Sequence, residues 1–153
     1  MDFVTEEGIK VDLIKHSKKI FQDKFVNYGE DVKVYVGTDS QNKRRKSTYA
    51  TVVVFRYGHR GAHYIFSRHS VKKIRDRRIR LMRECELSIE IALKLRENGI
   101  PVYSIDLDFN KDKKFGSNAV VQAAQGWCEG LGFRANVKPE LLLATKAADH
   151  LCR

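Results

Sequence analysis

Four acidic residues, each on a different element, could be brought to one place: Asp39, Glu84, Asp108 and Asp149. Asp39 belongs to the run Val34-Tyr35-Val36-Gly37-Thr38-Asp39-Ser40-Gln41. Its β-branched and aromatic part predicts a strand. That strand carries Asp39 to its end, where the chain leaves the sheet and a carboxylate is open to solvent and metal. The competing reading is a turn, since Gly, Asp and Ser are ordinary turn residues. Glu84 recurs with Ser88, Ala92 and Leu95 beside an apolar stripe of Leu81, Cys85, Ile89 and Ala92. Glu86 falls instead with Glu90, Lys94 and Glu97 on the wet face. Glu84 is therefore expected to face the sheet edge, with Glu86 as the alternate. Further on, alternation places Val102, Ser104, Asp106 and Asp108 on one strand face and Tyr103, Ile105, Leu107 and Phe109 on the other. Two acids near the end of a buried strand are costly without a partner or a cation. Asp108, nearer the carboxyl end, is preferred, and Asp106 is the alternate. Asp149 follows Ala147-Ala148, small residues that let a helix approach a sheet closely. Taken singly, each acid has a bland explanation as a turn, a surface helix residue, a loop start or a terminus. Together they bring one acid from each of four elements toward one place.

The supporting elements follow from periodicity. Ile9, Leu13, Ile14, Ile20, Phe21 and Phe25 predict an amphipathic helix over 8–28, closed by Gly29. Strands are expected at 32–38, 48–57 and 63–67, forming an antiparallel meander. A polar, basic connection at 42–47 joins the first two, and a hairpin-type turn at 58–61 joins the next. A long helix covers 77–97, and Gly99 ends it. A fourth strand spans 100–109, followed by a loop at 111–115. Ser117 is a plausible N-cap for a helix reaching 129 or 130. A short fifth strand at 133–137 and a last helix over about 140–151, opened by Pro139, complete the chain. No repeat or linker divides it, so one domain over 1–153 is expected. A helix followed by β-β-β-α-β-α-β-α implies an α/β fold with a five-stranded mixed sheet. Function in such sheets gathers at the carboxyl ends of strands where connectivity changes direction.

The net charge is +10, from 29 Lys and Arg against 19 acids, which favours polyanionic partners. The charge is clustered. Lys43-Arg44-Arg45-Lys46 is one group; Arg68, Lys72, Lys73, Arg75, Arg77, Arg78, Arg80 and Arg83 form another, interrupted only by Asp76. Both flank the expected site, so phosphate contact is favoured over a merely solvated face. A hydrophobic content of 42% and a charged content of 31% fit a soluble globular protein. No apolar run reaches membrane-spanning length, and the first twenty residues do not read as a signal peptide. Cys85, Cys128 and Cys152 are odd in number and lack zinc-ligand spacing, which points to a reducing cytoplasm. Tyr35, Tyr49, Tyr57, Tyr64 and Trp127 read as packing residues before base-stacking ones.

The motifs Gly37-Thr38-Asp39-Ser40-Gln41, Leu81-Met82-Arg83-Glu84, Asp106-Leu107-Asp108-Phe109-Asn110 and Ala147-Ala148-Asp149-His150-Leu151 together resemble the ribonuclease H-like superfamily. Within it the chain looks most like the bacterial YkuK-type group, to which Ser117-Asn118, the 126–132 stretch and Lys138-Pro139 are also similar. The resemblance runs from about Val32 to the C-terminus. It implies a divalent-metal-dependent nuclease holding two Mg²⁺ or Mn²⁺ ions, about 3.5–4 Å apart in such sites. Asp39 would bridge both ions, Glu84 and Asp108 would hold one, and Asp149 the other. Lys43, Arg44, Arg45, Lys72, Lys73, Arg75, Arg77 and Arg78 would hold nucleic-acid phosphates. Classical ribonucleases H often carry a histidine before the final helix. Here residues 133–146 contain none, so Lys138, His150 or His63 is left for proton transfer or phosphate contact. Some members of the superfamily are inert, so a nucleic-acid-binding module without turnover is the alternative.

Overall fold

The computed structural model describes residues 1–108, 118–137, 144, 147, 148 and 151. Within them the elements are β1 (Phe3–Thr5), β2 (Lys10–Val11), α1 (Leu13–Tyr28), β3 (Lys33–Lys43), β4 (Lys46–Tyr57), β5 (Gly61–Lys72), α2 (Arg77–Glu97), β6 (Ser104–Leu107), α3 (Asn118–Gly130) and β7 (Ala135–Val137). A single 3₁₀ turn, Gly29–Asp31, links α1 to β3. The described strands form one sheet of seven in the order β2-β1-β5-β4-β3-β6-β7. Pairing is antiparallel from β2 across to β3, then parallel from β3 to β6 and β7. The change of sense lies between β3 and β6, which share the register Tyr35↔Ser104, Val36↔Ile105, Gly37↔Asp106.

The two faces are covered differently. On one, Val34, Val36, Val53, Phe55, Ile65, Ile105 and Leu107 pack against the apolar stripes of α1, α2 and α3. On the other, Tyr35, Ala50, Val52 and Val54 pack against Ala144 and Ala148. Ala144, Ala147, Ala148 and Leu151 are helical, and their spacing of three and four puts small side chains on the sheet. α2 starts where it does because Asp76 caps it, its Oδ1 accepting from the backbone of Arg78 at 2.8 Å and Ile79 at 3.5 Å. The one acid in the basic run is thus a structural cap.

Several of these expectations change. The sheet has seven described strands in place of five, because the first residues form β1 and β2 instead of a helical turn. Asp12 caps α1 at 2.9 Å from Lys15 N, so the helix begins at Leu13, not at residue 8. β1 adds to the edge of β5 through Val4↔Phe66 and Thr5↔Ile65, and β5 runs well beyond the expected 63–67. β3 neither ends at Asp39 nor turns there. It continues to Lys43, and the basic connection is the tip of a tight hairpin, with Arg44 in the left-handed region at φ 55°. The strand expected over 100–109 is ordered as β6 only over Ser104–Leu107. Inside β6 the alternation holds, but at its entry Tyr103 turns to the opposite face from Ile105 and meets Tyr35 edge-on at 5.4 Å. There the Tyr103 N–H donates to Val34 O at 2.8 Å, just ahead of the first β3–β6 pair, Tyr35↔Ser104. The expected loop at 111–115 and the cap Ser117 lie outside the described residues.

Candidate active site

Asp39 sits on β3 two residues past its last pairing with β6, although β4 still pairs with it as Asp39↔Ala50. Among the described residues the β3–β6 ladder ends before this level. The Ser40 N–H donates to Asp39 Oδ1 at 2.9 Å, which holds the carboxylate there. Glu84 approaches from α2, two turns into the helix. Its seat is fixed one turn later by Ser88, whose Oγ lies 2.7 Å from Thr38 Oγ1, itself 3.1 Å from Thr51 Oγ1. This chain of three hydroxyls joins α2 to β3 and β4 below the acids.

Glu84 is buried, with 4% of its surface exposed. Burial raises its carboxyl well above the usual range. The neighbouring Asp39 charge and a hydrogen bond with Asp39 raise it further, and Arg80 and the Ser40 hydroxyl act in the opposite sense. Two carboxylates in hydrogen-bonding contact must share a proton or a cation. Two groups around Glu84 escaped a reading of the sequence for sites. Arg80 lies one turn before it on α2. Tyr49 of β4 is buried and stacks on His69 at 5.5 Å. Burial and the Glu84 charge raise the Tyr49 phenol, against the lowering effect of Arg80 and Arg83. The Tyr49 hydroxyl and Arg80 Nε have no hydrogen-bond partner among the described residues. Their only sequence signals were a strand tyrosine and one arginine among many. Glu86, by contrast, points to solvent and pairs with Arg83 at 2.6 Å, so the alternate is remote from Asp39.

The two acids of β6 have different surroundings. Asp106 is fully buried and well supplied with donors: Oδ1 accepts from Ser104 Oγ at 3.1 Å and Asn136 Nδ2 at 3.2 Å, and Oδ2 accepts from Ala144 N at 2.9 Å. It ties β6 and β7 to the helical segment containing Ala144. Asp108 follows β6 directly and is half-buried. Asp108 lies just past the last pair of the β3–β6 ladder, Gly37↔Asp106, at the same end of the sheet as Asp39. Among the described residues no three His, Cys, Asp or Glu side chains form a group that could hold a metal ion. Asp149, Lys138 and His150 lie outside the described residues. His63 is distant in role as well: on β5 it faces His16, Nε2 to Nε2 at 2.8 Å, and burial lowers both imidazoles. What is in place is a pair of oxygen donors with a hydroxyl beside it, a set that suits a hard divalent cation.

The basic clusters, separate in sequence, meet in space. Lys43 pairs with Lys46 across the hairpin, and Lys46 pairs with Lys72 of β5. Lys73 N donates to Arg45 O at 3.0 Å. Asn42 then fastens the chain leaving β5: its Nδ2 donates to Ile74 O at 3.0 Å, and Ser47 Oγ accepts from Ile74 N at 2.9 Å while donating to Asn42. Arg75, Arg77 and Arg78 continue as an exposed run into α2. The pleat places Lys43, Lys46 and Lys72 on the face of the sheet that carries Asp39. Lys43 is four residues beyond Asp39, about 14 Å along an extended strand.

A parallel β3–β6 pair joined to an antiparallel meander, with acids at the switch in direction, defines a mixed α/β fold. The family model described as Ribonuclease H-like matches residues 17–153, and the chain belongs to that family. No curated protein and no solved structure matches it at a significant level. Membership connects the chain with nucleic acid, as a nuclease or as a binding module. Among the described residues no helix is long and apolar enough to cross a membrane.

Proposed function

We propose that this protein is a divalent-metal-dependent nuclease hydrolysing nucleic-acid phosphodiester bonds, nearest in its motifs to the YkuK-type group. The observation that carries the reading is the contact between Asp39 and Glu84. Acids from two elements, 45 residues apart in sequence, are held against each other just past the described β3–β6 ladder. Like charges are not gathered in a buried place for stability; they are tolerated where a cation is to be held. Asp39 and Glu84 would hold Mg²⁺ or Mn²⁺, with Asp108 and Asp149 completing a two-ion set. Bound ions of this kind activate water and stabilise the departing 3′ oxygen.

The chain's own residues do the rest. Ser40 N–H and the Ser40 hydroxyl hold the two carboxylates in place and limit their rotation. Arg80 lies where it can offset negative charge brought in by a phosphate. The hairpin tip and the run from Lys72 to Arg78 bind the phosphodiester backbone to one side of the acids. Cleavage of an RNA, DNA and hybrid panel in Mg²⁺, Mn²⁺ or EDTA tests the reading. Wild type is expected to cut at least one substrate in metal and none in EDTA, and Asp39→Asn is expected to cut none. Equal behaviour of the two proteins in every lane refutes it.

A second reading is an inert nucleic-acid-binding module. It is favoured by the basic surface formed where the two clusters meet, which needs no turnover to hold nucleic acid. Binding that weakens steeply with salt, without turnover in any metal, would select it.

A further inference from the structure

At the other end of β3 from the acids, a cavity of about 440 Å³ opens between Tyr28, Asp31, Lys33, Tyr35, Arg56 and His59. That volume is in the ordinary range for small-ligand sites. Lys33 is six residues before Asp39 on the same strand, about 20 Å away in extended chain, so this is a separate place. Its charge is arranged against the usual rule for sheets. Lys33 and Arg56 are direct cross-strand partners, a like-charge pair that is destabilising unless an anion joins it. Neither makes an ion pair with an acid among the described residues. Instead both are aimed by tyrosines. Arg56 is hydrogen-bonded to the buried Tyr35 side chain. Lys33 Nζ lies 4.6 Å from the centre of the Tyr103 ring, and the Arg134 guanidinium lies 4.6 Å from the same ring, with Arg134 Nη1 donating to Tyr103 Oη at 2.7 Å. Two cations, Lys33 and Arg56, therefore line the cavity in fixed positions, with Arg134 held behind them on the same Tyr103 ring, and Asp31 is the one acid among the described lining residues.

The opposite wall is a flat ring. Tyr28 is 41% exposed although it is held from behind by Tyr57, at 5.3 Å between ring centres. Gly58 makes that placement possible. It takes φ +62°, and a Cβ there would come within 2.9 Å of Tyr28 Cε1. Any other residue at 58 would push the ring away. A fixed cationic rim facing a fixed, partly bare aromatic face matches a ligand with a planar ring at one end and a phosphate at the other. We propose that this cavity binds a nucleotide, its phosphate between Lys33 and Arg56 and its base on Tyr28. The nucleotide is either a free mononucleotide or the terminal residue of a nucleic-acid strand.

Titration in EDTA tests this without turnover, so its outcome does not depend on whether the acids cleave. The probes are AMP, UMP, adenosine, inorganic phosphate, and blunt and 5′-phosphorylated overhanging duplexes. The expected result is that AMP or UMP, or the overhanging duplex in preference to the blunt one, binds at one site. The Lys33→Gln/Arg56→Gln variant should weaken binding at least tenfold, and Tyr28→Leu should weaken it severalfold. Free nucleotide binding identifies a mononucleotide site; binding of the overhang alone identifies a strand end. Each variant is checked for an unchanged melting temperature, and Lys33→Gln alone, at a half-exposed position, serves if the double variant melts early. The proposal is overturned if no nucleotide or overhang binds at millimolar concentration. It is equally overturned if phosphate binds as tightly as AMP and UMP, or if removing the Lys33 and Arg56 charges changes nothing.

Discussion

Glu84→Gln separates a carboxylate kept for metal from one kept for stability. In the folded protein Glu84 is buried against Asp39, so its proton is held more tightly than the 4.5 of a free glutamate. At pH 7.5 the unfolded chain ionises Glu84. The folded chain either holds the proton against that solution or ionises beside Asp39. The cost therefore cannot exceed that of holding the proton three pH units above 4.5 at 1.36 kcal/mol per unit, about 4 kcal/mol. Arg80 and Ser40 reduce it, so removing the charge should stabilise the metal-free protein by up to about 4 kcal/mol, with a melting temperature higher by up to about 12 °C at roughly 3 °C per kcal/mol for a chain of this length. The sign with pH follows from a raised folded value. Below pH 4.5 both states of the wild type hold the proton and the advantage of Gln vanishes; it grows as pH rises toward the folded value. Metal reverses the order. Mn²⁺ should raise the wild-type melting temperature, by the equivalent of about 2.7 kcal/mol at a hundred times its dissociation constant, and should raise that of Glu84→Gln far less. Calorimetric melts at pH 4 and 7.5, in EDTA and in Mn²⁺, read all four corners. A Glu84→Gln protein that melts lower than wild type at pH 7.5 in EDTA, or that responds to Mn²⁺ equally, refutes the reasoning.

Asp106→Asn should do the opposite. One amide nitrogen must then face a donor it cannot accept from, at Ala144 N or Asn136 Nδ2, and stability should fall by about 2–4 kcal/mol while the Mn²⁺-induced shift persists; loss of that shift would make Asp106 a ligand. Replacing Lys43, Arg44, Arg45 and Lys46 by Gln should lower the slope of log binding constant against log salt by about 3 for duplex DNA, with little change in melting temperature. An unchanged slope removes the hairpin tip from the phosphate surface. Cys85 and Cys128 are fully buried with sulfurs 4.0 Å apart. Hydrogen bonding to Cys128 and burial push the Cys85 thiol up, so in a Cys152→Ser background neither should react with Ellman's reagent until the protein unfolds; a fast thiol in the folded protein contradicts this.

Local pattern settled much of this protein before any coordinates. α2 spans Arg77–Glu97 as its stripe requires, because a helix buries residues on a period set by its own backbone. The same period turned Glu84 inward and Glu86 outward. The strand character around Asp39 and the pleat inside β6 were legible for the same reason. Other features depend on which strand lies beside which. The run from Val34 to Gln41 gives no sign that β4 would carry β3 on to Lys43 while its described pairing with β6 ends at Gly37, two residues before the acid that meets Glu84. Asp106 and Asp108 look alike in sequence. Only Asn136, 30 residues later, and the Ala144 backbone give Asp106 its donors. The basic clusters become one surface through Asn42, Ser47 and Ile74, and the Lys33–Arg56 pair becomes a rim only through cross-strand register. Secondary structure answers to neighbours three or four residues away, which the sequence displays. A site answers to neighbours brought together by chain closure, and those are fixed only when the sheet chooses its order.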